Sequence, residues 1–254
     1  MIIEFIGTTG VGKTTLLRRV CSRLAESAPA IEAVQMAVSL VGLKSGMNAT
    51  VENIVQEIIG LPFLVLAARK YRDFLGYVMK LFDQKGHGGL ERINNLRSLE
   101  RKVGINEIVR RYGGNRYVLI DEGPLLVTHM FAFGAEALTH EEIEKFANLV
   151  PLPDLVVYVR APVDVIVGRT TRRADAPRQL KSKDGQSTER CVESAAAMFD
   201  ELVKAESIRC RLLTVESTDV AEPAYQTMVD DISNYILRRK MAVHCCGQNL
   251  ESNA

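Results

Sequence analysis

Net charge is almost absent from this chain. Its 254 residues hold 32 lysines and arginines against 31 acids, a balance of +1. No overall field would draw such a chain to nucleic acid or to an anionic membrane surface. Cysteine is also scarce. Cys21, Cys191 and Cys210 stand alone, and only Cys245 and Cys246 are neighbours. None has metal or redox spacing, so reduced thiols in a cytoplasmic setting are the expectation. Long apolar runs are missing: the longest, Leu61 to Ala68, is too short to cross a bilayer. No basic leader precedes the first strand, so no signal peptide is expected. Repeats and low-complexity blocks are missing too.

What is present fits one α/β domain with an elaboration or two, at 47% hydrophobic and 25% charged residues. The stretch FIGTTGVGKTTLL, from Phe5 to Leu17, meets the pattern G-x-x-x-x-G-K-[ST] with Gly7, Gly12, Lys13 and Thr14. Met1 to Ile6 has the apolar, β-branched character of a buried strand, and Leu16 to Val20 opens a helix. Glycine lets such a loop turn its amides inward at the positive end of the helix, which makes an anion cradle. The expected phosphate-binding residues are Gly7, Thr8, Thr9, Gly10, Val11, Gly12, Lys13, Thr14 and Thr15. Lys13 would neutralise the outer phosphates of ATP, Thr14 would ligate Mg²⁺, and Thr15 would donate to the α-phosphate.

Further along, Ile31 to Val38 reads as a second strand, and residues 50 to 112 as helical, with breaks at Gly86–Gly89 and Gly113–Asn115. Arg69 to Asp73 is placed on one of these helices. Tyr117 to Ile120 is a short buried strand, and Thr139 with Glu142 caps a helix over 140–149. Leu155 to Val159 is another strand, followed by helices over 163–173 and 188–208. Arg211 to Val215 is the last strand, and Pro223 to Leu237 the closing helix. Residues 1–237 form one domain in this reading, with a helical insertion over about 43–112 and a polar stretch over about 174–187. The tail 238–254 is expected to be loose. Strands alternating with helices imply a mostly parallel five-stranded sheet with helices on both faces and ligands at the carboxyl edge, and the glycine motif after the first strand makes the expected fold that of a P-loop NTPase, with a helical elaboration.

Val118-Leu-Ile-Asp121-Glu122 is an apolar strand ending in two carboxylates. In P-loop proteins a carboxylate here holds Mg²⁺, and Asp121 is the candidate alongside Thr14. Glu122 serves two chemistries equally well. It would polarise water in an ATPase, or orient and deprotonate an acceptor hydroxyl in a kinase. Spacing alone leaves both open.

The segment LPDLVVYVRAPVDVIVGRTTRRADAPRQ runs strand, proline turn, helix and arginine cluster. It resembles the P-loop small-molecule kinases, in particular the thymidylate kinase and deoxynucleoside kinase branch. The matching positions are Pro162, Asp164, Arg169, Arg172 and Arg173. The resemblance implies that arginines here, Arg169 and Arg173 above all, clamp the transferring phosphoryl group when a lid closes. Planar, permanent cations suit charge spread over the γ-oxygens, and closure excludes water. The resemblance also implies that residues 174–187 are this lid, with Arg178 and Lys181 adding to its charge, and that the helical insertion holds the acceptor. The chain departs from the branch twice. Asp121-Glu122 stands where an acid followed by arginine is usual, and AVSLVGLKSG holds no acid after the second strand.

The expectation from the sequence is thus a Mg²⁺- and ATP-dependent kinase of a small, nucleoside-like or nucleotide-like acceptor. Lys13, Asp121, Glu122, Arg169 and Arg173 are its catalytic candidates. Arg69, Arg72, Asp73, Arg92, Arg97 and Arg101 are candidates for acceptor contact or for plain surface charge. His129 either faces the site or packs, and Ser217 and Thr218 lie where adenine is contacted. No nucleic-acid or membrane partner is expected, and a homodimer is left open. The alternatives are an ATPase coupling hydrolysis to movement, a nonenzymatic nucleotide-binding module, and a GTP switch, for which no N-K-x-D sequence is found.

Overall fold

The computed structural model describes residues 1–43, 49–86, 88–132, 137–172, 185–218 and 222–251. Five strands form one sheet: β1 (Ile2–Ile6), β2 (Ala30–Glu32), β3 (Tyr117–Ile120), β4 (Leu155–Arg160) and β5 (Leu212–Glu216). All pairings are parallel and the order is β2-β3-β1-β4-β5. Parallel strands covered on both faces read as unbroken apolar runs, and β3 and β4 do so. Every residue from Tyr117 to Ile120 and from Leu155 to Val159 is buried. Successive side chains go to opposite faces. Ile3, Phe5, Val157 and Val159 enter one core, and Ile6, Val156 and Tyr158 the other.

The first of these cores is closed by α1 (Lys13–Ala25), whose Leu16, Leu17, Val20, Cys21 and Leu24 are buried, and by α10 (Glu222–Glu251). The backbone is helical beyond Leu237, where the sequence reading ends this helix, to Glu251. Two cations anchor the extension's first turn. Arg239 donates to the carbonyl of Cys210 at 3.0 Å and Lys240 to that of Asn115 at 2.5 Å.

Helices α2 (Ala33–Leu40), α3 (Ala49–Ala68), α4 (Arg72–Gln84) and α5 (Gly89–Tyr112) follow β2. The expected strand over Ile31 to Val38 is mostly α2. Ala33, Met36 and Ala37 recur at helical spacing and pack with Ile105, Ile108 and Val109 of α5. Arg69 to Asp73 does not share one helix, because a turn at 69–71 separates α3 from α4. Helices α3 and α5 meet through glycine. A Cβ on Gly104 would lie 2.5 Å from the carbonyl oxygen of Gly60.

A 3-10 helix, Pro124–Phe131, leads from β3 to α6 (His140–Leu149), which opens on the expected Thr139–Glu142 capping box. Helices α7 (Val163–Arg172), α8 (Gly185–Leu202) and α9 (Glu206–Arg209) complete the chain. The single helix expected over 188–208 is therefore two, parted by a turn at 203–205. Arg173, Arg178, Lys181 and the expected lid up to 184 lie outside the described residues. Among the described residues no helix is long and apolar enough to cross a membrane.

Candidate active site

The central strand β1 has β3 on one side and β4 on the other, so the strand order reverses beside it. A crevice at the carboxyl ends of the strands is the place for ligands in such a sheet. A cavity of about 480 Å³ opens there. Its walls are the loop from Thr9 to Thr15, then Asp121, Glu122 and Leu126, and finally Arg169 and Arg172 of α7.

Three glycines, Gly7, Gly10 and Gly12, have positive φ in the loop, and the first and last show why. Gly7 has φ 139°, and a Cβ there would lie 2.3 Å from the carbonyl oxygen of Val159. Gly12 has φ 100° immediately before α1. Both conformations are open to glycine and strained for other residues. A loop so wound at a helix N-terminus offers its amides to an anion. The Lys13 ammonium lies over it and donates to the carbonyls of Gly7 at 2.7 Å and Thr8 at 3.0 Å. Thr8 and Val11 are buried, so of the nine expected loop residues these turn their side chains away from the cavity.

Thr14 and Asp121, 107 positions apart in sequence, are joined directly. The threonine hydroxyl donates to Asp121 Oδ2 at 2.6 Å. The other carboxylate oxygen, Oδ1, is buried with no hydrogen-bond partner. A buried carboxylate oxygen without a donor is costly, and a cation would satisfy it. Magnesium takes one or two carboxylates and completes its shell with phosphate and water. Thr14 and Asp121 fit that requirement. Among the described residues no cluster of three or more His, Cys, Asp or Glu side chains offers a cage for a tighter metal.

Glu122 lines the cavity beside Asp121, with its side chain about half exposed. Lys102 Nζ donates to its Oε2 at 2.8 Å, and Arg101 lies 3.6 Å from the same oxygen. The Lys102 charge first, and Arg101 after it, hold this carboxyl down at about 2. A carboxylate so acidic orients a hydroxyl well and removes its proton poorly. Lys102 itself is buried on α5, and no reading of motifs singles it out. A signal for it exists all the same: Leu99, Lys102, Val103 and Asn106 follow helical spacing on one buried face, and a lysine there needs a partner.

Two further groups shape the same turn. Glu4, in the middle of β1, is fully buried, and Leu125 N donates to its Oε1 at 2.9 Å. Burial pushes this carboxyl up to about 8, although the amides of Leu125 and Leu126 oppose the shift. Gly123 presses on it from above, since a Cβ there would lie 2.4 Å from Glu4 Cδ. His129 stands 3.4 Å from Thr9 Oγ1 through Nε2, and its ring stacks on Phe199. Burial, then the nearby Lys13 and Lys102 charges, push the imidazole down to about 3 and keep it neutral.

Arg169 is drawn into the architecture. One guanidinium nitrogen donates to the carbonyls of Val11 at 3.0 Å and Ser217 at 3.1 Å, tying the loop to the segment after β5. Arg172, exposed at the end of α7, also faces the cavity. The other arginines expected near an acceptor have different partners. Arg92 pairs with Asp83, Arg97 with Glu57, and Arg72 with Asp73 on the surface. Only Arg101 among those named from the insertion reaches Glu122.

No protein-family model matches the chain, and no curated protein does. Among solved structures it is similar to shikimate kinase from Bacteroides thetaiotaomicron, at 12% identity and a TM-score of 0.48 over 93% of this chain and 98% of that one. It is likewise similar to deoxyadenosine kinase from M. mycoides, solved with bound dCTP, at 12% identity and a TM-score of 0.46 over 94% and 100% of the two chains. The parallel sheet in the order 2-3-1-4-5, the glycine loop between β1 and α1 and the carboxylate closing β3 make this a P-loop NTPase fold.

Proposed function

We propose that the protein is a Mg²⁺- and ATP-dependent kinase of a small hydroxyl- or phosphate-bearing acceptor, of nucleoside-like or nucleotide-like size. The observation that carries this reading is the pairing of Lys102 with Glu122. Helix α5 of the insertion delivers a buried cation to the carboxylate next to Asp121, so the insertion is built into the phosphate site. The roles follow from position. Lys13 and the loop amides hold the phosphates, while Thr14 and Asp121 hold the metal, which supplies positive charge to the transferring group. Glu122, kept ionised by Lys102 and Arg101, accepts a hydrogen bond from the acceptor and aims it. Arg169 fixes the loop against the β5 end, and Arg172 offers a planar cation to charge developing on the γ-oxygens.

Hydrolysis would use the same carboxylate to orient a water, as a side chain of no basicity does in other P-loop proteins. The test is where the phosphate goes. ATP should be consumed slowly alone and much faster with the right member of a panel of nucleosides, nucleotides, sugars and amino alcohols. Mass spectrometry should then find one phosphorylated product per ADP. Brisk release of free phosphate, with no acceptor ever labelled, would make the protein an ATPase.

A further inference from the structure

His129 has no share in the roles given above, yet it stands beside the groups that have them. It lies on the 3-10 helix Pro124–Phe131, which follows Asp121, Glu122 and Gly123 directly. Residues three apart eclipse one another on such a helix, so His129 stands one turn behind Leu126, a wall of the cavity. The imidazole uses its face and its edge differently. Its face stacks on Phe199 of α8, with ring centroids 6.0 Å apart and planes 27° apart. Its edge brings Nε2 to within 3.4 Å of the Thr9 hydroxyl, and Thr9 lines the cavity. Phe199 is fully buried, so the stack rests on a fixed partner. A phenyl ring would serve that stack equally well. Only an imidazole also offers a hydroxyl its edge.

Resting on the kinase reading above, we propose that His129 is a positioning residue for phosphoryl transfer, donating through Nε2 to Thr9 and so turning the Thr9 proton onto the phosphoryl group to be transferred. A neutral imidazole has one N–H, and a hydroxyl has one proton and two lone pairs. Burial, then the Lys13 and Lys102 charges, keep this ring neutral. With its N–H on Nε2, the Thr9 oxygen accepts there and keeps its own proton for a ligand. The cavity it faces is made for anions by the loop and Lys13, and an anion takes donors. Thr9 is the loop residue that meets the 3-10 helix, and Leu126 of that helix forms the wall together with Glu122. Its hydroxyl therefore serves the outermost phosphate, which sits between the loop and the acceptor. A separation of 3.4 Å is long for such a bond, and catalytic hydrogen bonds of this kind tighten once the ligand is in place.

Calorimetric titration of the full chain with Mg·ADP, and with the magnesium complex of the non-hydrolysable imido analogue of ATP, tests it. The two ligands differ in the group to be transferred. Thr9→Val and His129→Phe should each lower the preference for the triphosphate analogue over ADP by about tenfold, the loss of one hydrogen bond to a charged oxygen. His129→Phe keeps the stack on Phe199 and removes the donor at the edge. His129→Gln restores a donor there and should regain most of the preference. The double variant should be no worse than Thr9→Val alone, because His129 acts only through Thr9. Melting curves establish that each variant is folded; where His129→Phe is not, His129→Met, which also lacks the donor, takes its place. Equal weakening of both nucleotides by the histidine variant would reduce the residue to packing and overturn the proposal. So would an unchanged preference in Thr9→Val, or a double variant that loses the product of the two single losses. Failure of the wild type to bind either nucleotide would sink the phosphate site and this proposal together. The kinase reading fails separately, through release of free phosphate with no acceptor labelled, whereas these nucleotide preferences are measured with no acceptor present.

Discussion

A carboxyl group inside a central strand has to be held by donors, and Glu4 is held by the amides of the turn that presents Asp121 and Glu122. Its buried state also carries a pH signature. The folded-state value is raised from 4.5 to about 8, so the protein binds this proton more tightly folded than unfolded. Stability from this group is therefore complete below 4.5 and is lost as pH rises through about 8, at roughly 1.4 kcal/mol per pH unit across the window. Glu4→Gln cannot ionise, so denaturant unfolding should show the variant gaining on wild type from pH 5 to pH 9. Parallel pH curves would remove the buried-acid account. Gly123→Ala presses on the same contact. Its methyl group would meet the Glu4 carboxyl and lift the turn, and turnover should fall about tenfold or more as Asp121 leaves its place. Adding Glu4→Ala makes room for that methyl, so the double variant should lose less than the two effects combined. Additive losses would place the two residues in separate roles. Lys13→Ala removes the cation lying over the loop, and nucleotide turnover should drop on the order of a hundredfold or more in a steady-state assay.

The elements that place the phosphate site were legible because each has a local cause. The glycine pattern dictates the loop, the apolar runs dictate β1, β3 and β4, and the Thr139–Glu142 pair dictates the start of α6. AVQMAVSL, the sequence of α2, is short and apolar enough for either period, and only its packing on α5 decides for a helix. Nothing in Val203-Lys204-Ala205 forbids a helix, although the chain turns there. The acceptor side was less legible, since its contacts join residues distant in sequence. Lys102 and Glu122 are twenty positions apart, and Arg97, named from the sequence, turned instead to Glu57. That pairing makes its own prediction. Glu122→Gln leaves the buried Lys102 ammonium without its counter-charge, facing neutral acceptors such as Ser98 Oγ at 3.2 Å, and should cost about 1–3 kcal/mol. Lys102→Met relieves the stranded charge, so the double variant should be more stable than Glu122→Gln alone. Chemical denaturation of the three variants decides it; a double variant no more stable than Glu122→Gln would mean the pair does not act as a unit.

Across the whole molecule, the site is assembled from two parts that fold around different contacts. The sheet edge supplies the loop, Thr14 and Asp121, whereas the insertion supplies Lys102 and Arg101 on α5. Within the insertion α3 packs on α5, with glycine on glycine at Gly60 and Gly104, and α5 in turn packs on α2 and β3 through Ile105, Ile108 and Val109. Gly104 is two residues beyond Lys102 on the same helix. A methyl at 104 would lie 2.5 Å from a backbone oxygen, which no side-chain adjustment can relieve, so α3 and α5 must move apart. Displacements of about an ångström at a site of this kind cost up to a hundredfold in rate. Gly104→Ala should therefore leave Mg·ATP affinity within a few-fold of wild type, measured with a fluorescent nucleotide, while acceptor-dependent turnover falls about tenfold to a hundredfold. The split between binding and rate carries the meaning. In the proposed reading phosphate binding belongs to the sheet edge and does not need α5, whereas aiming an acceptor does. Equal losses in both would show that α5 supports the loop itself, and wild-type turnover would remove the insertion from the reaction. Melting curves of the variant with and without Mg·ATP complete the test, because a fold that remains stabilised by nucleotide has kept its phosphate site.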